Sequence, residues 1–212
     1  AEDWEAVPTD VVATDASLRG YGAVNHELKE FFFGEFEQPL PEGAHISILE
    51  LATLVVAAKE WFPRSSGRRF RPSVDNLASV QVVEAGRAKD AGMHYLVRCL
   101  ASDALRGGYD VSPSWLASEQ NETADGLSRL DTAVVQRLED AGYTRVYPDG
   151  GLRSLVVEAV RRARCFDAAR AGRPSISPPR RREKPAHLPR FNPSLPPTLP
   201  RCAPSSPPGR SM

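Results

Sequence analysis

Cysteine is scarce in this chain: Cys99, Cys165 and Cys202 are all it has in 212 residues. Three scattered thiols make neither a metal-spaced pair nor a disulfide framework, so a small stapled scaffold is excluded and a reducing, intracellular compartment (cytoplasmic or nuclear) is expected. Long apolar runs are missing too. The longest, Ile46 to Ala58, is interrupted by Ser47, Glu50 and Thr53. It is too short and too polar to span a bilayer, so no membrane partner is expected. No charged start followed by an apolar core and a cleavage site is present, so no secretory leader is expected. No internal repeat of 20–50 residues is visible. Net charge is absent as well, with 27 Lys+Arg against 27 Asp+Glu. That balance hides a division. Residues 1–150 carry 14 basic and 24 acidic side chains, whereas residues 151–212 carry 13 and 3. A basic extension of this kind attracts phosphates through counterion release, although high arginine also follows from coding composition alone.

What is present is a patterned body of about 150 residues, long enough to bury a core, followed by a stretch of different character. Twelve of the 41 residues from 172 to 212 are proline, with serine and arginine filling much of the rest. Such a segment buries too little apolar surface to offset its ordering entropy, and is predicted to be disordered. Upstream, Val11 to Thr14 reads as a buried strand, and Gly20 and Gly22 permit a tight return. Tyr21 to Val24 and Glu30 to Phe36 read as two more strands. Ile46 to Phe62 reads as a helix with an apolar face, stopped by Pro63. Arg68 to Val74 and Tyr109 to Leu116 are predicted as the fourth and fifth strands, the latter bent or at an edge because of Pro113. Leu77 to Ala85, Met93 to Leu105, Val134 to Ala141 and Leu152 to Ala171 read as helices, and Asn121 is placed to cap another that runs to Leu130. The order predicts an α/β fold with a five-stranded mixed sheet flanked by helices.

Four acids stand out against this frame. Asp15 follows the first strand, Glu50 lies inside the apolar helix, Asp75 ends the fourth strand, and Asp125 lies near the start of the helix after Asn121. Singly, each has an ordinary explanation. Asp15 could bond its own turn, Asp75 could cap the helix after it, and Asp125 could favour a helix dipole. Glu50 is harder to explain away, because its sequence neighbours are Ile48, Leu49, Leu51 and Ala52. An unpaired carboxylate taken out of water costs several kcal/mol, unless Ser47, Glu50 and Thr53 form a solvated side of the helix. Jointly, strand ends and helices brought to one sheet edge would make an oxygen-rich cage suited to Mg²⁺ or Mn²⁺.

The strings "TDASLRGYGAV", "HISILELATLVVAAKEW", "VDN" and "NETADGLSR" together resemble the ribonuclease H domain of reverse-transcribing elements, with DIRS-type retrotransposons the nearest likeness and gypsy-type elements next. The resemblance spans roughly Val11 to Leu130. It implies a ribonuclease H-like domain over 8–131, a helical extension over 132–171 and the tail over 172–212. It also implies a metal-dependent endonuclease that hydrolyses the RNA strand of RNA/DNA hybrids, working beside an upstream reverse transcriptase domain of a polyprotein and leaving 5′-phosphate and 3′-hydroxyl ends. Asp15, Glu50 and Asp75 would hold one ion, and Asp15 and Asp125 would help to hold a second. Ser17, Asn76 and Gln81 are candidate substrate contacts, the two amides toward the 2′-hydroxyl that separates RNA from DNA. Asn76 and Gln81 also read as an ordinary helix start and an exposed helix residue.

One departure from the family pattern is the lack of a His about ten residues before Asp125. His45 reads as structural, Trp115 as core or edge packing rather than a base-stacking platform, and Arg129 as a partner for either a carboxylate or a phosphate. Two rivals remain at this level: a catalytically inactive relic or nucleic-acid-binding module, and an integrase-like enzyme acting on DNA. The fourth acid argues against the second.

Overall fold

Val12–Ala16 (β1) is apolar enough to be buried on both faces. It pairs antiparallel with Gly20–Asn25 (β2), which pairs antiparallel with Glu30–Glu35 (β3). In this computed structural model, residues 11–64, 69–149 and 151–171 are described. The tail expected over 172–212 and the first residues of the domain expected from residue 8 therefore lie outside the described residues.

Two parallel strands extend the meander on its other side. Pro72–Val74 (β5) pairs with β1, and Ser114–Trp115 (β7) pairs with β5. The two-residue strand Thr144–Arg145 (β8) pairs parallel with Glu30 and Phe31 of β3. The sheet therefore runs β7-β5-β1-β2-β3-β8. It has six strands where five were predicted, because two residues are too few to show an alternating pattern.

The predicted fourth and fifth strands are each broken. Arg69–Phe70 (β4) and Asp110–Val111 (β6) form a separate two-stranded sheet. Pro72 and Pro113 stand at the break, and neither has an N–H for the ladder. The Ser112 N–H still reaches the Phe70 carbonyl at 2.9 Å, so the two pieces follow one path.

Helices cover both faces. Ile46–Trp61 (α1) lies across the sheet with Ala91–Gly107 (α3) and Gly151–Ala171 (α6) beyond it, and Leu77–Glu84 (α2) at the side. From Leu51 to Ala58 every residue of α1 is buried. The predicted single apolar face is thus a helix buried all round. Thr53 belongs to that interior and satisfies its hydroxyl on the Leu49 carbonyl at 2.9 Å. The opposite face carries Glu122–Ser128 (α4) and Thr132–Asp140 (α5), whose Ala124, Leu127, Val134 and Leu138 pack on Ala13, Val24 and Phe31. The residues expected as a helical extension over 132–171 pack into this same body: α5 closes the second core, and Leu152, Val156, Ala159 and Val160 of α6 enter the first.

Candidate metal centre

Carboxylates from three separated segments meet at the carboxyl ends of β1 and β5. Asp15 is the last residue but one of the buried strand β1, Glu50 projects from the first turns of α1, and Asp75 follows β5 directly. One carboxylate oxygen from each lies within 4.8 Å of the others, a group that can hold a metal ion. Of the three residues that could have formed a solvated side of α1, Thr53 is buried, while Ser47 and Glu50 are partly exposed. The Oε2 of Glu50 is buried without a hydrogen-bond partner.

The charges are compressed. Burial pushes Glu50 up from 4.5 to about 7, opposed by the Asn76 amide and reinforced by the negative charges of Asp75 and Asp15. Asp15 rises from 3.8 to about 6, again mainly through burial, and Asp75 and Asp125 raise it further while a hydrogen bond from Ser128 opposes them. Carboxyls that resist ionisation in the protein alone are the ones a cation stabilises most.

Asp125 stands beside this group rather than in it. It is half-exposed, and the Arg129 Nε–H lies 2.8 Å from each of its carboxylate oxygens, one helical turn away. The rest of α4 is tied closely to the sheet. Ser128 Oγ donates to Asp15 Oδ2 at 2.5 Å. Asn121, predicted as a cap, makes no side-chain cap bond and instead donates to the Thr14 carbonyl at 3.2 Å. Gly22 serves this approach, and Gly20 serves both it and the β1–β2 turn. A Cβ on Gly22 would stand 2.3 Å from Leu127 Cβ and 2.8 Å from the Ser128 nitrogen, and one on Gly20 would stand 2.8 Å from the Ser128 carbonyl oxygen.

The other predicted contacts fall differently. The Ser17 hydroxyl accepts from the Arg19 and Gly20 N–H groups and donates to the Ser128 carbonyl at 2.9 Å, so it holds the β1–β2 turn against α4. Asn76, not Asp75, caps α2 by accepting from Ala78 and Ser79, and its amide donates to Ser47 Oγ at 3.2 Å. Gln81 is exposed on α2. His45 is exposed at the start of α1 and makes no cap bond. Sequence reasoning gave no role to Ser118, whose hydroxyl donates to Asp75 Oδ2 at 3.1 Å, or to Ser128. Trp115 was expected in packing, yet it is 55% exposed and its indole N–H donates to the Asp75 carbonyl at 3.0 Å. Among the described residues, no helix is long and apolar enough to cross a membrane. No family profile, curated protein or solved structure matches the chain.

Proposed function

We propose that this protein is a ribonuclease H-type endonuclease that hydrolyses the RNA strand of RNA/DNA hybrids. One observation carries the reading: Asp15, Glu50 and Asp75, from a strand end, a buried helix and a second strand end, bring their carboxylates within 4.8 Å of one another. The sheet order supports it, since an antiparallel meander followed by two parallel strands is the arrangement that the family resemblance implied. The four sequence strings that carry the resemblance all lie on elements that border this group or pack on it.

The residues fit divalent cations in number and kind: hard oxygen donors, an orphaned buried Glu50 oxygen and raised carboxyl pKa values. Asp15, Glu50 and Asp75 would hold one Mg²⁺ or Mn²⁺, and Asp15 with Asp125 a second. Such ions supply activation of the attacking water and charge stabilisation at the leaving oxygen. The chain's own residues do the positioning. Ser128 orients the Asp15 carboxylate from α4, and Ser118 orients that of Asp75. Asn76 joins the start of α2 to Ser47 of α1 and so fixes Asp75 relative to Glu50. Arg129, exposed beside Asp125, has a charge that suits the phosphate of the bound strand.

The Asp125–Arg129 pair favours one rival, an acidic triad that binds a cation and nucleic acid without turnover. Labelled RNA/DNA hybrid incubated with Mg²⁺, Mn²⁺ or chelator separates the two. The hydrolase should cut the RNA strand only with added cation, and Asp15→Asn should abolish cutting without loss of fold. Binding without cutting by the unaltered protein would support the rival, and cutting by the Asn variant would remove Asp15 from the centre.

A further inference from the structure

We propose that Trp115 is a substrate-positioning platform, its ring packing on the apolar face of the nucleotide next to the phosphate held at the acidic centre. This rests on the nucleic-acid reading above and names the contact that reading lacks.

A tryptophan more than half exposed on an edge strand is unusual, because its ring gains most by burial. Trp115 is not loosely exposed. Its N–H is held by the carbonyl of Asp75, so the ring stands beside a member of the triad and keeps its apolar surface in water. Its register partner on β5 is Val74, the residue directly before Asp75. The centre is flanked in sequence by further exposed apolar side chains. Of the eight large hydrophobic residues exposed among those described, Leu18 lies three residues after Asp15, Ile46 four before Glu50 and Leu77 two after Asp75. With Trp115 these are half the total, so half of the exposed large apolar side chains lie on the segments that carry the acids. Acids alone do not hold a polyanion, and the Ser17 hydroxyl and the Asn76 amide are already engaged within the protein, by Ser128 and Ser47. A flat apolar platform contributes affinity that charge does not oppose. A nucleotide offers the matching surface: its sugar is covalently next to the phosphate, and its base has a π face. Packing of aromatic side chains on nucleotides tolerates any sequence, as a general nuclease requires.

The test measures binding apart from cleavage. Fluorescein-labelled RNA/DNA hybrid and single-stranded RNA are titrated by anisotropy in Ca²⁺, with the unaltered protein, Trp115→Ala and Trp115→Phe. Acrylamide quenching of tryptophan emission is recorded alongside. Trp4 and Trp61 are common to both proteins, so subtracting the Trp115→Phe signal isolates Trp115. Trp115→Ala should weaken binding about tenfold, Trp115→Phe much less, and hybrid should shield Trp115 from acrylamide. In Mg²⁺, KM should rise with kcat nearly unchanged. Stronger shielding by hybrid places the ring on the sugar of a paired strand, and stronger shielding by single-stranded RNA places it on an unpaired base. Equal affinity for all three proteins, each with native circular dichroism, overturns the platform even if the hybrid is cut. Shielded binding without any cutting leaves the platform standing and refutes the hydrolase reading instead.

Discussion

Replacing Glu50 with Gln isolates the electrostatic load of the centre. The substitution keeps shape and removes one negative charge. Burial and the neighbouring carboxylates raise Glu50 from 4.5 to about 7. The sign follows directly. Below pH 4.5 the group is protonated both folded and unfolded, and the fold carries no penalty. As pH rises through about 7, the folded protein must release a proton that the unfolded chain has already lost, so stability falls. The full shift corresponds to roughly 3 kcal/mol. Glu50 is only half-buried, so solvent screening leaves about 2 kcal/mol. In chelator at pH 8, Glu50→Gln should therefore be more stable than the unaltered protein by about 2 kcal/mol, or about 4–8 °C in Tm. At pH 5 the difference should shrink to less than about 0.5 kcal/mol, because the unaltered side chain is then largely neutral. Thermal unfolding by circular dichroism at both pH values reads this. Added Mg²⁺ or Mn²⁺ should raise the Tm of the unaltered protein more than that of the variant, and more at pH 8 than at pH 5, since the cation competes with protons. A variant that is less stable at pH 8, or shifted equally at both pH values, would show that the carboxylate is a structural hydrogen-bonding group and refute the argument.

Two further substitutions probe the helix behind the centre. Gly22→Ala puts a methyl into Leu127 and the Ser128 backbone, so unfolding by urea should show a loss of about 1–3 kcal/mol, with hybrid cleavage falling alongside as α4 shifts. Ser128→Ala removes the hydroxyl that opposes the rise of Asp15; stability in urea should fall by about 1 kcal/mol, and the acidic limb of the cleavage pH profile should move upward, whereas an unmoved limb would detach Ser128 from Asp15.

How legible this was depended on the range of the contacts involved. β1, the aromatic strands and α1 were readable because their signals are local: a short apolar run, β-branched and aromatic residues, and Pro63 as a stop. The three converging acids were readable because two sit near strand ends and the third, Glu50, interrupts the apolar run of α1. The breaks at Pro72 and Pro113 were only half readable. Proline marks an interruption, but its effect on pairing depends on the partner strand some 40 residues away. Gly20 does take part in the turn, as the sequence suggested, but the need for glycine at 22 was not readable, because its crowding comes from α4, more than 100 residues later. Asn121 likewise looked like a cap, and its Thr14 partner is equally remote. Pro113 did mark β7 as an edge, as the sheet order bears out, but Trp115 was assigned to packing because aromatic residues near a strand usually bury themselves, and nothing local reveals that its ring stays open to solvent.

The position of Asp125 is best understood as a choice of side-chain direction on a fixed helix. Four ties hold α4: Asn121 to Thr14, Ser128 to Asp15, Ser17 to Ser128, and the glycine-permitted contact with β2. They leave the backbone little freedom, and they hold Asp125 close enough to Asp15 for its charge to raise that carboxyl. Its present partner is weak. An exposed pair four residues apart on a helix is worth about 0.3–0.5 kcal/mol. Repulsion from the three carboxylates acts in the same direction, and Asp75 and Asp125 already add to the burial that lifts Asp15. Among carboxylates alone the balance favours Arg129. A divalent charge beside Asp15 would reverse it, because attraction to the ion far exceeds the pair it replaces. On the proposed function, the Asp125–Arg129 pair is therefore compatible with a four-acid centre, and Arg129, once released, lies on the exposed face where a phosphate can take the place of Asp125.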